Sequence, residues 1–182
     1  MIAFISGGAR SGKSTHAEAL ARRWQTERGG ARYYLATARL SNDGEWQARI
    51  DRHRQARGEG WITLEEPVDL VAALERVEPG STLLLDCLTL WASQLLYFSD
   101  FDEAQGVAMV ERLLVEARRR DVALVIVSND VNEGMPPEDA EVWRYLALLQ
   151  RAHRLLAQEA DEVIQVMAGL SQVWKCRGEE RS

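Results

Sequence analysis

Apolar positions in this chain fall into short continuous runs separated by longer amphipathic stretches. Residues 2 to 6 are apolar up to Ser6 and bounded by Gly7-Gly8, which predicts a short buried strand. Ser14 to Arg28 predicts a helix that Gly29-Gly30 stops. Tyr33 to Ala36 reads as a second strand, Asp43 to Arg57 as a polar helix with a thin buried stripe, and Trp61 to Leu64 as a short strand. Pro67 opens a helix to Val77, and Pro79-Gly80 supplies a turn. Thr82 to Asp86 is a buried strand ending in a carboxylate, followed by an apolar helix from Leu88 to Phe98. The helix from Asp102 to Arg120 begins with acids and finishes on Arg118-Arg119-Arg120, charges that favour both ends of its dipole. Val122 to Val127 is a continuous apolar strand, Asn129 to Pro137 a loop, Glu138 to Glu159 a long helix, and Val163 to Met167 a last strand. Strands alternating with helices imply a mostly parallel sheet covered by helices.

Composition bounds the class. The chain has 182 residues, 46% hydrophobic and 27% charged, the balance of one globular domain with a substantial core, and a single domain over residues 1–182 is expected. Twenty-two Lys and Arg against twenty-eight Asp and Glu leave a net charge of −6, which disfavours a nucleic-acid partner. Cys87 and Cys176 are too far apart for a metal or redox pair, and the three histidines are scattered. No apolar stretch reaches membrane-spanning length and no signal segment is apparent, so a cytoplasmic protein is expected. The six tryptophans are dispersed, which suits core or interface anchors better than a base-stacking platform.

Chemistry enters at Gly7-Gly8-Ala9-Arg10-Ser11-Gly12-Lys13-Ser14, which fits GxxxxGK[ST] between a predicted strand and a predicted helix. Such a loop lets backbone N–H groups curl round phosphates at a helix N-terminus, brings a lysine to the outer phosphates and offers a hydroxyl to Mg²⁺. Lys13 and Ser14 are the residues in those roles, and Thr15 follows on the helix. Asp86 ends a buried strand, where such folds place a magnesium carboxylate; it also reads as an ordinary acid before a helix. The fold expected is therefore an α/β P-loop NTPase-type domain of RecA-like kind, with ligands at the carboxyl ends of the strands.

The ordered set of motifs resembles the bifunctional adenosylcobinamide kinase and adenosylcobinamide-phosphate guanylyltransferase family of cobalamin biosynthesis. The P-loop with Ala17-Glu18 carries it, then Tyr34-Leu35-Ala36-Thr37, Arg49-Ile50-Asp51-Arg52-His53-Arg54 and Trp61-Ile62-Thr63-Leu64-Glu65-Glu66-Pro67. Leu85-Asp86-Cys87-Leu88-Thr89-Leu90-Trp91, Ser128-Asn129-Asp130-Val131 and Ala160-Asp161-Glu162-Val163 complete it. The resemblance implies phosphorylation of adenosylcobinamide, with ATP or GTP as donor, and transfer of GMP from GTP to adenosylcobinamide phosphate through a guanylyl-histidine. It implies His53 as the guanylylated residue, with Ala36, Thr37, Glu65 and Asp86 serving the nucleotide and its Mg²⁺, and Arg54 a phosphate contact. It also implies a homotrimer.

Taken by itself, His53 between Arg52 and Arg54 reads as a solvent-facing histidine, and His16 and His153 as structural or surface residues. The family's Asn-Glu-Val-Gly-x-Gly-x-Val-Pro stands here as Asn129-Asp130-Val131-Asn132-Glu133-Gly134-Met135-Pro136-Pro137. Leu146-Ala147, Gln150 and His153 occupy the places of a family Arg-Asp pair, glycine and asparagine. Two other readings stay open: a P-loop kinase of another small metabolite, and a nucleotide-dependent regulatory switch. No guanine-reading Asn-Lys-x-Asp box is present.

Overall fold

The computed structural model describes residues 1–38, 58–130 and 139–176. The helix expected over Asp43–Arg57, with His53 and Arg54, and most of the loop expected after Asn129 lie outside the described residues. Seven strands form one sheet in the order β3-β2-β4-β5-β1-β6-β7. They are β1 (Ile2–Gly7), β2 (Arg32–Ala36), β3 (Ile62–Glu65), β4 (Thr82–Asp86), β5 (Ala123–Asn129), β6 (Glu162–Met167) and β7 (Leu170–Lys175). Every neighbouring pair is parallel except β6–β7. Helices α1 (Lys13–Arg28), α2 (Leu70–Glu75), α3 (Leu88–Phe98), α4 (Glu103–Arg119) and α5 (Ala140–Glu159) cover it.

The continuous apolar runs in β1, β4 and β5 follow from burial on both faces. Successive side chains alternate between two cores. Ala3, Ile5, Leu84, Val125 and Val127 pack with Ala17, Leu20, Ala21 and Trp24 of α1. Ile2, Phe4, Leu83, Leu85, Leu124 and Ile126 pack with residues of α2 to α5, including Leu74, Trp91, Leu113 and Leu149. Trp24 and Trp91 are core anchors, as the sequence suggested, and Trp91 Nε1 donates to the Val68 carbonyl across 2.8 Å. Trp143 and Trp174 are exposed. Among the described residues no helix is long and apolar enough to cross a membrane.

Several predicted boundaries move, each for a local reason. Helix α2 starts at Leu70 rather than at Pro67, because Asp69 Oδ1 accepts the Val71 and Ala72 amides as its cap. It ends before Val77, because Arg76 and Val77 bond to carbonyls three residues back and tighten the last turn. Asp139 likewise caps α5 through the Glu141 amide, so that helix begins at Ala140 and not at Glu138. Helix α4 carries a full capping box between Asp102 and Gln105, and its terminal arginines bond to Glu159, Glu116 and the Glu75 and Val77 carbonyls. The strand over Val163–Met167 is not the last: β7 folds back on it through a turn at Ala168-Gly169.

Candidate functional site

Strand β1 delivers the chain to the P-loop at Gly7. A Cβ built there would lie 2.3 Å from the carbonyl oxygen of Val166, its partner on β6, so the close strand approach demands glycine. The loop then turns tightly: the Ser11 amide donates to the Gly8 carbonyl across 3.2 Å, and Arg10 and Gly12 take positive φ of 58° and 92°. Lys13 is buried, and its Nζ donates to the same Gly8 carbonyl across 3.0 Å. Ser11 is buried as well, and its Oγ has no partner among the described residues. Ser14 is half-buried, whereas Ala9, Arg10, Gly12 and Thr15 are exposed.

Among the described residues no side chain caps the start of helix α1, and its first turn carries no acid. Asp69, Asp102 and Asp139 cap α2, α4 and α5 through their own carboxylates. The amides of the first α1 turn therefore stay available to an anion seated in the loop.

Parallel register aligns the other strand ends with this loop. Asn129 stands opposite Gly7, and the Asp130 amide donates to the Gly7 carbonyl across 2.9 Å. Asp86 stands opposite Val127 on one side and Ala36 on the other, and Ala36 in turn opposite Glu65. Because Leu84 packs in the α1 core, alternation places Asp86 on that same face, the face from which the P-loop helix starts. The sequence thus points to residues at the carboxyl ends of four strands of the sheet: Glu65, Ala36 and Asp86 on the adjacent β3, β2 and β4, and Gly7 on β1, across β5 from Asp86.

Around Asp86 runs a polar network. Tyr34 donates its phenol to Asp86 Oδ2 across 3.3 Å. The Thr37 hydroxyl, fully buried, donates to the Cys87 carbonyl across 3.0 Å. Cys87 Sγ lies 3.0 Å from Thr89 Oγ1, which accepts from Asn129 Nδ2 at 3.3 Å. Burial and then the Asp86 charge push the Cys87 thiol above its usual range, while the Lys13 ammonium acts in the opposite direction. The lysine of the loop and the end of β4 therefore share one electrostatic environment. Glu65 is exposed.

Tyr34, Thr89 and Asn129 were not among the residues singled out as site residues. Asn129 and Thr89 have a positional signal, polar side chains at or just beyond the end of an apolar strand, whereas Tyr34 lies mid-strand in β2 and only its register beside β4 brings its hydroxyl to Asp86. His153 has a structural setting, as expected, with Nε2 2.7 Å from Ser128 Oγ and its ring 5.2 Å from that of Phe4. Burial lowers its pKa, and the Asp130 charge partly offsets this.

No group of three or more His, Cys, Asp or Glu side chains that could hold a metal ion occurs among the described residues. A Ser14 hydroxyl and an Asp86 carboxylate are the oxygen donors Mg²⁺ takes, and so few protein donors would fit an ion held jointly with substrate phosphates and water rather than in an all-protein cage.

Comparison with known proteins agrees with this geometry. A family model described as cobinamide kinase / cobinamide phosphate guanyltransferase matches residues 3–173. The chain is 40% identical to the bifunctional adenosylcobalamin biosynthesis protein CobP of Pseudomonas aeruginosa, over 91% of this chain and 92% of that one. It is 33% identical to CobU of Escherichia coli, which carries the same bifunctional description, over 93% and 97%. Among solved structures, an ATPase domain aligns with TM-score 0.60 at 13% identity, covering 98% of this chain and 78% of that one. A KaiC-like protein from Pyrococcus horikoshii aligns with TM-score 0.53 at 11% identity, covering 100% and 81%. These structural likenesses show the RecA-like P-loop fold.

Proposed function

The chain belongs to the cobinamide kinase / cobinamide phosphate guanyltransferase family, and from that premise we propose that its single P-loop serves both reactions, with His53 as the guanylylated residue. The observation that carries this reading is the loop itself: a buried Lys13 held at the Gly8 carbonyl beside an uncapped α1 N-terminus, on the same sheet edge as Asp86.

In the kinase step the γ-phosphoryl group passes from a nucleoside triphosphate, ATP or GTP, to the hydroxyl of adenosylcobinamide. Lys13 and the first α1 amides hold the phosphates and disperse their charge, since positioning and electrostatic stabilisation dominate phosphoryl transfer. In the second step an imidazole nitrogen of His53 attacks the α-phosphorus of GTP. The bond to pyrophosphate breaks, and a guanylyl-histidine forms. The phosphate of adenosylcobinamide phosphate then displaces the histidine and takes the GMP. Lys13 neutralises the leaving pyrophosphate.

Ser14 and Asp86 are the residues that would hold Mg²⁺, which, when bound, neutralises phosphate charge. Ala36, Thr37, Glu65 and Arg54 serve the bound nucleotide in the same reading. Thr37 does so by fixing the Cys87 carbonyl, to which its hydroxyl is committed. The family resemblance assigns a homotrimer; β7, exposed along its whole length with Leu170, Val173 and Trp174, offers surface that such an assembly can cover.

Protein incubated with Mg²⁺ and GTP labelled at the α-phosphate, without acceptor, tests the covalent step. Base-stable, acid-labile label is expected on the wild type and none on His53→Ala. Unlabelled wild type that still binds GTP would overturn the His53 assignment. Transfer of a γ-label to adenosylcobinamide tests the kinase step separately.

A further inference from the structure

Strands β6 and β7 are joined by only two residues, Ala168 and Gly169, with Met167 paired to Leu170 across the turn. Their φ angles are 48° and 82°, the two positive values that a tight hairpin turn of the primed type requires. In such a turn the hydrogen bond runs between the two flanking residues, and the amide of the second central residue has no partner inside the hairpin. Here that amide leaves the hairpin altogether. Gly169 N–H donates to the carbonyl of Ser11, in the middle of the P-loop, across 2.9 Å.

Two close approaches accompany this bond. Gly7 and Val166 are register partners and touch so closely that a Cβ on Gly7 would collide with the Val166 carbonyl. A Cβ on Gly12 would sit 3.5 Å from the Gly169 Cα. The hairpin therefore meets the loop at its beginning, its middle and its end.

We propose that the Ala168-Gly169 turn is a positioning element for the phosphate loop, with Gly169 N–H acting through the Ser11–Gly12 peptide. The inference rests on reading that loop as the nucleotide site. In a trans peptide the carbonyl and the following N–H point in opposite directions. Anchoring the Ser11 carbonyl on the hairpin side thus aims the Gly12 N–H away from the hairpin, into the concave side of the loop where phosphates are bound. Gly12 takes φ of 92° to allow that orientation, and Gly169 takes φ of 82° to present its amide. Gly169 is a positioning residue, because it makes its contribution through Gly12 and not on the substrate.

The test lengthens the turn by inserting one glycine between Ala168 and Gly169, which moves the amide away from Ser11 while leaving every P-loop residue in place. GTP binding measured by calorimetry is expected to weaken about tenfold, as for loss of one preorganised phosphate donor. In steady state KM for the nucleotide should rise by more than kcat falls. Ala168→Asn, which keeps the two-residue turn with a residue better suited to positive φ, should bind GTP within about twofold of wild type. A folded insertion variant that binds GTP as tightly as wild type would overturn the proposal. Hydrogen exchange on the unaltered protein gives a second reading that does not depend on the variant folding. The Gly169 amide should be protected and become more so with GTP; exchange at the rate of a free amide in the GTP complex would also overturn it. Wild type that fails to bind GTP would remove the nucleotide reading itself, a result distinct from either of these.

Discussion

The phenol of Tyr34 on β2 reaches along the sheet to Oδ2 of Asp86 on β4, across 3.3 Å. Tyr34 stands opposite Leu84, two residues before Asp86, and its side chain spans that offset to bring the hydroxyl to the carboxylate. The ring is held edge-on to Trp61 at 6.2 Å, and the Arg32 guanidinium covers the other aromatic at 4.7 Å. In the metal-binding role proposed for Asp86, such a partner would fix the orientation of the carboxylate. Tyr34→Phe should lower the apparent Mg²⁺ affinity of GMP transfer about tenfold while leaving the fold intact. A Mg²⁺ titration of the labelling reaction checks this, and an unchanged midpoint would show that Tyr34 has no share in orienting Asp86.

Gly7 and Gly8 are adjacent glycines, but only Gly7 fills a fixed position of the motif, and the structure separates them in the same way. A Cβ on Gly7 meets the Val166 backbone oxygen at 2.3 Å, whereas one on Gly8 meets nothing within 4 Å. Gly7→Ala should therefore force β1 and β6 apart and cost about 1–3 kcal/mol of stability. Gly8→Ala should stay within about 0.5 kcal/mol. Urea unfolding of the two variants side by side decides the point, and equal midpoints would contradict the close approach.

Lys13 offers a third test. Its ammonium is buried and already shaped to the Gly8 carbonyl. Lys13→Ala should lower both transfer activities by about a hundredfold or more. Lys13→Arg should fare little better, because a planar fork does not fit a point-charge position. Residual activity above a tenth of wild type in either variant would remove Lys13 from the phosphate-binding role.

The P-loop, the alternation of strands and helices, and the strand-end position of Asp86 were legible because each is local: a spacing, a run length, a polar residue closing an apolar run. What was not legible depends on contacts between distant segments. Strand β7 is exposed at every position, so Leu170–Lys175 has no clean alternation of buried and polar residues. Its one signal is the two-residue turn Ala168-Gly169 before it. The Tyr34–Asp86 and Gly169–Ser11 pairs join residues far apart in sequence, which no spacing rule addresses. Helix starts at Leu70 and Ala140 were missed by two or three residues because Asp69 and Asp139, read as helical, act as caps.

His153 makes stability depend on pH in a window of its own. Its ring packs on Phe4, Nε2 lies 2.7 Å from Ser128 Oγ, and burial lowers its pKa despite the nearby Asp130 charge. The folded protein therefore favours neutral imidazole, while the unfolded chain takes up a proton near the ordinary value of 6.5. Where the unfolded state binds more protons, stability rises with pH. The contribution of His153 is thus complete above pH 6.5 and is lost as pH falls from there through the lowered folded value. Glu103 and Asp121, held below their usual range by bonds to Arg144 and Arg28, also lose stability on acidification, but only once pH approaches the carboxylate range near 4. Melting temperatures should consequently fall between pH 7.5 and 5.5 in wild type and fall less in His153→Gln, with the two proteins parallel again only below the lowered folded value. Identical slopes between pH 7.5 and 5.5 would mean that the imidazole is protonated in the fold as readily as in the unfolded chain, and that Ser128 and Phe4 accommodate the cation.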